Sequence, residues 1–218
     1  MDLLYSTNDI LNNLRYKDET WNQIKYIGDY MWNDLFKWKC LKQTNKEHFI
    51  DNNCENTKVI VDNEHIQCKS CGKKNDWIYL NFTKTINVPY LIEFDAKILS
   101  KTTEFQFAFN YHSIGKRYRY NLVNNRILSF EVVYGGFFHS EIISVPFSLN
   151  LNRFYNFKIL VTDNIFSFFV DDIVILSVNQ KFPIIERGQL VFILWDSNTS
   201  NINAIYKNIQ IYKIQPSE

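Results

Sequence analysis

From about Phe36 onward the chain alternates apolar and polar residues with a period of two, and the breaks between alternating segments are only a few residues long. In an extended strand residues i and i+2 share a face, so each segment has one apolar face to bury and one polar face to show. Ile92, Phe94, Ala96 and Ile98 alternate with Glu93, Asp95 and Lys97. Phe105, Phe107, Phe109 and Tyr111 alternate with Gln106, Ala108, Asn110 and His112. Tyr118, Tyr120 and Leu122 alternate with Arg117, Arg119 and Asn121, and Leu128, Phe130, Val132 and Tyr134 with Ser129, Glu131 and Val133. Further strands are predicted over 76–82, 137–145, 155–161, 165–170, 173–178, 190–196 and 203–214. The turns between them, among them Gly135-Gly136, Thr162-Asp163-Asn164 and Asp171-Asp172, leave no room for crossover helices. Neighbouring strands must therefore run antiparallel. About a dozen such strands at even spacing predict an all-β chain folded as a two-sheet antiparallel β-sandwich. The composition agrees: aromatics are 17%, with Phe 18 and Tyr 13, and these residues favour strands. The predicted inward set is Ile92, Phe94, Phe107, Phe109, Phe130, Phe157, Ile159, Phe166, Phe168 and Val191. The many scattered asparagines obey no motif and read as compositional bias.

The first 32 residues obey another rule. Ile10, Leu11, Leu14, Trp21, Ile24, Ile27, Tyr30 and Met31 recur at helical spacing, with Ser6, Thr7 or Asn8 as N-cap. This predicts a short helical N-terminal segment over 1–32, packed on a β-sandwich domain over 33–218. An acid at position two and no apolar core argue against a secretory signal. No run reaches the roughly 18 apolar residues of a membrane helix. The expectation is a soluble protein without a membrane partner, cytoplasmic unless cut from a longer secreted precursor. Lys+Arg 24 against Asp+Glu 23 gives a net charge of +1. That balance excludes an electrostatic nucleic-acid binder, which needs excess basic charge to displace counterions.

Cys68 and Cys71 form a CxxC with Gly72 directly after it, the spacing of half a zinc knuckle. Cys40 and Cys54 form no second pair, although His48 and His65 are available. Reduced thiols, a structural zinc and a small disulfide loop are the alternatives, with reduced thiols and no cofactor the expectation. His48, His65, His112 and His139 make no HxH or HExxH motif. A Gly-rich phosphate loop and a nucleophile elbow are absent too.

The C-terminal third carries a recognisable order of features. The strand 153–161 leads through Thr162-Asp163-Asn164 into Ile165–Asp172. Gly188-Gln189-Leu190-Val191-Phe192 and a closing Asn208-Ile209-Gln210-Ile211 come next, and Asp34-Leu35-Phe36-Lys37-Trp38 stands near the start. This order resembles the concanavalin A-like lectin/glucanase superfamily, in particular its laminin G-like and 3-keto-disaccharide hydrolase-type jelly rolls. The resemblance spans about residues 33–215. The usual turn glycine is Asp172 here, a residue that tolerates turn geometry. The resemblance implies a concanavalin A-like jelly roll, a fold that hosts both sugar binding and sugar cleavage. The Glu-x-Asp-x-x-Glu strand of the family 16 glucanases is missing, with Glu93-Phe94-Asp95 its nearest match. The galectin residue set is missing as well.

Three functional readings are open. The leading one is a non-catalytic carbohydrate- or glycan-binding module whose partner is a saccharide. The alternatives are a saccharide-active enzyme on the same fold, either hydrolase or lyase, and a protein-interaction sandwich. Glu93 and Asp95 share a strand face at about 6.5–7 Å between Cα atoms. A retaining glycosidase needs its carboxyl groups about 5–5.5 Å apart, so the pair is a candidate against the plainer reading of a solvated face neutralised by Lys97. The predicted ligand site is the polar face of the middle strands: Asn110, His112, Arg117, Arg119 and Glu131, with Tyr134 and Trp195 near its edge. Amides, guanidinium groups and carboxylates pair with sugar hydroxyls or with an acidic sugar's carboxylate, while rings stack on C–H faces. Tyr118, Tyr120 and Phe138 are further stacking candidates, each equally readable as core.

Overall fold

A computed structural model describes residues 24–26, 36–43, 49–51, 57–61, 65–70, 76–82, 85–100, 104–113, 115–134, 138–179, 187–196 and 201–214. Every element among them is a strand. In chain order these are β1 (Ile24–Tyr26), β2 (Phe36–Gln43), β3 (Phe49–Asp51), β4 (Thr57–Val61), β5 (Ile66–Ser70) and β6 (Asp76–Phe82). Then come β7 (Ile86–Asn87), β8 (Tyr90–Ile98), β9 (Glu104–Ser113), β10 (Lys116–Val123), β11 (Ile127–Tyr134) and β12 (Phe138–Pro146). The last are β13 (Tyr155–Val161), β14 (Ile165–Val170), β15 (Ile173–Asn179), β16 (Arg187–Asp196) and β17 (Asn203–Ile214). The first sheet runs β15-β14-β13-β8-β17-β5-β4 with β1 beside β17, and the second β12-β11-β10-β9-β16-β6-β2-β3 with β7 beside β16. All pairings are antiparallel. The helical segment expected over 1–32 lies outside the described residues except for Ile24–Tyr26, which form a strand on β17.

Local pairs come from turns, and the central pairs come from distant strands. Val123-Asn124-Asn125-Arg126 joins β10 to β11, with Arg126 N donating to Val123 O at 3.0 Å. Asn124 and Asn125 both stand at φ 51°, and Asp171 and Asp172 take φ 49° and 65° in the β14–β15 turn. A tight hairpin needs this left-handed pair to match the strand twist. Among the described residues, every non-glycine with positive φ is Asn or Asp. With only Gly 6 in the chain, these two side chains supply the left-handed conformations glycine usually provides. The asparagines at these positions therefore serve the backbone conformation.

The core is a slab of rings drawn from both sheets. Phe94, Phe157, Phe168 and Tyr206 of the first sheet meet Phe105, Phe107, Tyr120 and Phe192 of the second. Phe94 lies 4.9 Å from both Phe107 and Phe192, and Tyr120 lies 5.0 Å from Phe168. Edge and tilted contacts at such distances are favourable beyond their area. Nine of the ten predicted inward residues belong to this cluster. Val191 is the exception: it is buried with Tyr79, Ala108 and Ile193 on the outer face of the second sheet. Leu190, Phe192 and Leu194 point inward instead. Tyr118 and Tyr120 are core, at 2% and 0% exposure, which removes them as stacking candidates.

Candidate functional site

The outer face of the second sheet can be read in rows of cross-strand partners. One row runs Glu131–Arg119–Ala108–Val191 from β11 through β10 and β9 to β16. The next runs Ser129–Asn121–Gln106–Ile193–Tyr79, reaching β6. The third places Glu104 between Val123 and Trp195. Residues opposite one another on one face are within side-chain reach, so polar residues of the three successive strands β9, β10 and β11 converge here beside Tyr79 of β6 and Trp195 of β16.

They are joined into one hydrogen-bonded network. Arg119 Nε donates to Glu131 Oε2, and Arg119 Nη1 donates to Gln106 Oε1 at 2.9 Å. Gln106 Nε2 in turn donates to Glu104 Oε2. The other carboxylate oxygen of Glu131 accepts from Ser129 Oγ at 2.6 Å and from Asn121 Nδ2 at 3.2 Å. Glu131 is 2% exposed and Arg119 8%, so this is a buried ion pair with its hydrogen bonds made. Buried charge is tolerable on those terms. Glu104 sits at the part-exposed end. Burial pushes its carboxyl above the usual range, and Glu131 adds to this while Arg119 and the hydrogen bonds from Gln106 and Asn121 oppose it.

Arg117 lies on the same face, 6% exposed, near Tyr79 and Tyr111. Burial lowers its pKa to about 10, with Arg119 adding to the shift and Tyr79, Tyr111 and Glu131 opposing it. Burial raises the Tyr79 and Tyr111 phenols in turn, and Arg117 offsets part of that rise.

The structure thus brings Arg117, Arg119 and Glu131 together, with Gln106, Asn121, Ser129 and Glu104. It parts the other expected residues. Asn110 stands at φ 47°, 1% exposed, and its Oδ1 accepts from the hydroxyl of Tyr90, a first-sheet core residue, at 2.6 Å. Its side chain therefore does not share the face of Arg119. The register of β9 is irregular against both neighbours around this point, and an added bulge residue reverses the parity of the residues beyond it. Tyr111 consequently packs on the outer face beside Val191 and Ala108. Gly188 of β16 makes the bulge sterically feasible: a Cβ there would lie 2.3 Å from the Asn110 carbonyl carbon and 2.5 Å from Tyr111 N. His112 is exposed at the strand end, one ring nitrogen 2.5 Å from Arg187 O. Trp195 is half-buried beside Glu104 in the third row. Tyr134 closes β11 opposite Phe138, and the side chains of both lie outside the described part. Sequence reasoning passed over Glu104 and Tyr111; Glu104 begins its strand, and Tyr111 looked apolar by parity.

Glu93 and Asp95 share the outer face of the first sheet, away from this network. Asn156 Nδ2 donates to both, at 3.1 and 3.0 Å. Lys158, rather than Lys97, is the cation beside Glu93, at 3.6 Å. Cys68 is buried in the core at 0% exposure, while Cys54 and Cys71 lie outside the described residues. No group of three or more potential metal ligands occurs among the described residues. No helix among them is long and apolar enough to cross a membrane.

The fold is the concanavalin A-like jelly roll. The carbohydrate-binding module CBM66 from Bacillus subtilis superposes with a TM-score of 0.57 at 14% identity, covering 81% of this chain and 95% of that one. The endo-beta-1,3-glucanase from Pyrococcus furiosus gives 0.61 at 11% identity, covering 89% and 96%. The exoplasmic/lumenal domain of VIP36, in its Ca2+/Man3GlcNAc-bound form, gives 0.60 at 6% identity, covering 84% and 85%. At these identities the likeness is one of fold. No family model and no curated relative matches the chain.

Proposed function

We propose that the chain is a saccharide-binding jelly-roll module whose ligand lies along the seam between β9 and β16. The observation that carries this is the outer-face network, with Glu104 and Trp195 at one end of the seam and Tyr111 and Gln189 at the other. The middle of the seam is floored by Gln106, Ala108, Val191 and Ile193, which are fully buried. Glu104, Tyr111, Gln189 and Trp195 are part-exposed. Contact is therefore made from the two ends, with rings offering stacking surfaces and Glu104 an acceptor for hydroxyls. Arg119 and Glu131 hold the network in place beneath. Solved structures of the same fold include a carbohydrate-binding module and a saccharide-bound lumenal domain, which supports this class of ligand.

The test is a glycan array, then calorimetric titration of the best binder. Trp195→Ala and Tyr111→Ala should each weaken binding by about tenfold, roughly 1.4 kcal/mol, with folding retained. A sugar bound equally well by both variants places the site elsewhere.

A second reading, hydrolysis or elimination on a saccharide, is favoured by one observation. Glu104, whose carboxyl burial pushes up, shares a network with Glu131, which accepts from Arg119, Asn121 and Ser129. Two carboxyl groups in unlike environments suit acid and base roles. Reducing-end release from the array's best ligand, lost in Glu104→Gln, would establish it; binding without turnover would leave the module reading.

A further inference from the structure

The outer face of the first sheet pairs its charges unevenly. Lys158 reaches Glu93 at 3.6 Å and also pairs with Asp172. Arg153 Nη2 donates to Asp171 Oδ2 at 2.7 Å. Lys207 stands directly opposite Asp95 in the β17–β8 ladder, the position where opposite charges normally meet. Here they do not. Asn156 Nδ2 occupies Asp95 Oδ1 at 3.0 Å, and Asn208 Nδ2 occupies Oδ2 at 2.7 Å. Asn208 can do so because it sits at φ 52° where the register of β17 shifts between Lys207 and Gln210. Such irregularities re-aim side chains.

With the acids engaged, two cations converge on one ring. Lys207 Nζ lies 4.3 Å from the Phe154 centroid, and Lys97 Nζ lies 4.5 Å from the same centroid. Lys97, Phe154 and Lys207 are all half-buried. Among the described residues neither lysine takes part in an ion pair. Both contacts to the ring are favourable cation–π placements. Both ammonium groups are nevertheless held against one ring, 4.3 and 4.5 Å from its centroid, and like charges placed around one ring repel. An anion bridging the pair converts that repulsion into two charge-assisted contacts. Ammonium groups are compact point charges with three rotatable donors each, which suits a tetrahedral oxyanion better than a planar one.

We propose that Lys97, Lys207 and Phe154 form a binding site for a sulfate or phosphate group, on the sheet opposite the β9–β16 seam. The site is independent of the saccharide reading of that seam. Two probes distinguish a free oxyanion from one borne by a sugar: inorganic sulfate and phosphate, and dextran sulfate set against unmodified dextran. Binding is read by chemical-shift titration of the full chain at low and at physiological salt. The expected result is saturable binding of at least one of the anionic probes, weakened as salt rises, with plain dextran inert at these residues. Lys97→Gln should weaken it about fivefold, and Lys97→Gln/Lys207→Gln should abolish it. Trp195→Ala should leave it unchanged. Absence of saturable binding to every anionic probe overturns the proposal, as does full binding by the double variant.

Discussion

Replacing Tyr120 or Tyr206 with Phe should stabilise the protein, and replacing Tyr90 with Phe should do the reverse. All three phenols are buried in the core, at 0%, 0% and 1% exposure. The hydroxyls of Tyr120 and Tyr206 have no hydrogen-bond partner among the described residues, whereas that of Tyr90 donates to Asn110 Oδ1 at 2.6 Å. A buried polar group without a partner costs about 1–3 kcal/mol, the desolvation it never recovers. Deleting either lone hydroxyl leaves the ring contacts in place: Tyr120 keeps Phe168 at 5.0 Å, and Tyr206 keeps Phe192 at 5.0 Å. The expected gain is about 1 kcal/mol each, a rise in Tm of roughly 2–4 °C for a chain of this size. The two rings make no direct contact with each other that is described, so the gains should add to within about 0.5 kcal/mol. Tyr90→Phe takes a donor away from Asn110 at the bulge and should cost about 1–3 kcal/mol. Urea unfolding with an unchanged m-value is the assay. A loss above about 1 kcal/mol in Tyr120→Phe or Tyr206→Phe would refute the reasoning, because it would mean that a trapped water satisfies the hydroxyl.

Gly188→Ala drives a methyl into the backbone of Asn110 and Tyr111, and should destabilise by about 1–3 kcal/mol or more, read by the same unfolding curve. Glu104 binds its proton more tightly folded than unfolded, since burial raises its carboxyl from the ordinary 4.5. Its charged form is therefore a penalty that is absent below that value and grows as the pH rises through it. Stability should fall over that window in the parent and stay flatter in Glu104→Gln, as measured by urea midpoints at stepped pH. Arg119→Met alone strands the Glu131 carboxylate and should cost about 3–5 kcal/mol, while Arg119→Met/Glu131→Leu should recover most of it, which a double-mutant cycle in denaturant would show.

The strands and their apolar faces were legible because alternation is a local property with a period of two. Asp76–Phe82, Tyr90–Ile98, Tyr155–Val161 and Ile165–Val170 fall where the residues alone put them. The Asp171-Asp172 turn was legible from its side chains, which tolerate left-handed backbone, whereas the Asn124-Asn125 turn emerged only in the structure. The common face of Arg117, Arg119 and Glu131 also came from parity within one hairpin. Parity fails at two kinds of place. Leu190 to Leu194 are uniformly apolar, so nothing in them says that Val191 points outward; only the pairing of β16 between β9 and β6 decides it. At Asn110 the irregular register turns one amide toward Tyr90 and puts Tyr111 on the outer face. It is made sterically possible by the close approach of Gly188, far away in sequence. The two lysines over Phe154 likewise join strands that are distant in the chain, β8 and β17. Such contacts are set by which strands become neighbours, a choice made by burying the whole slab of rings at once, and that choice exists only in the tertiary structure.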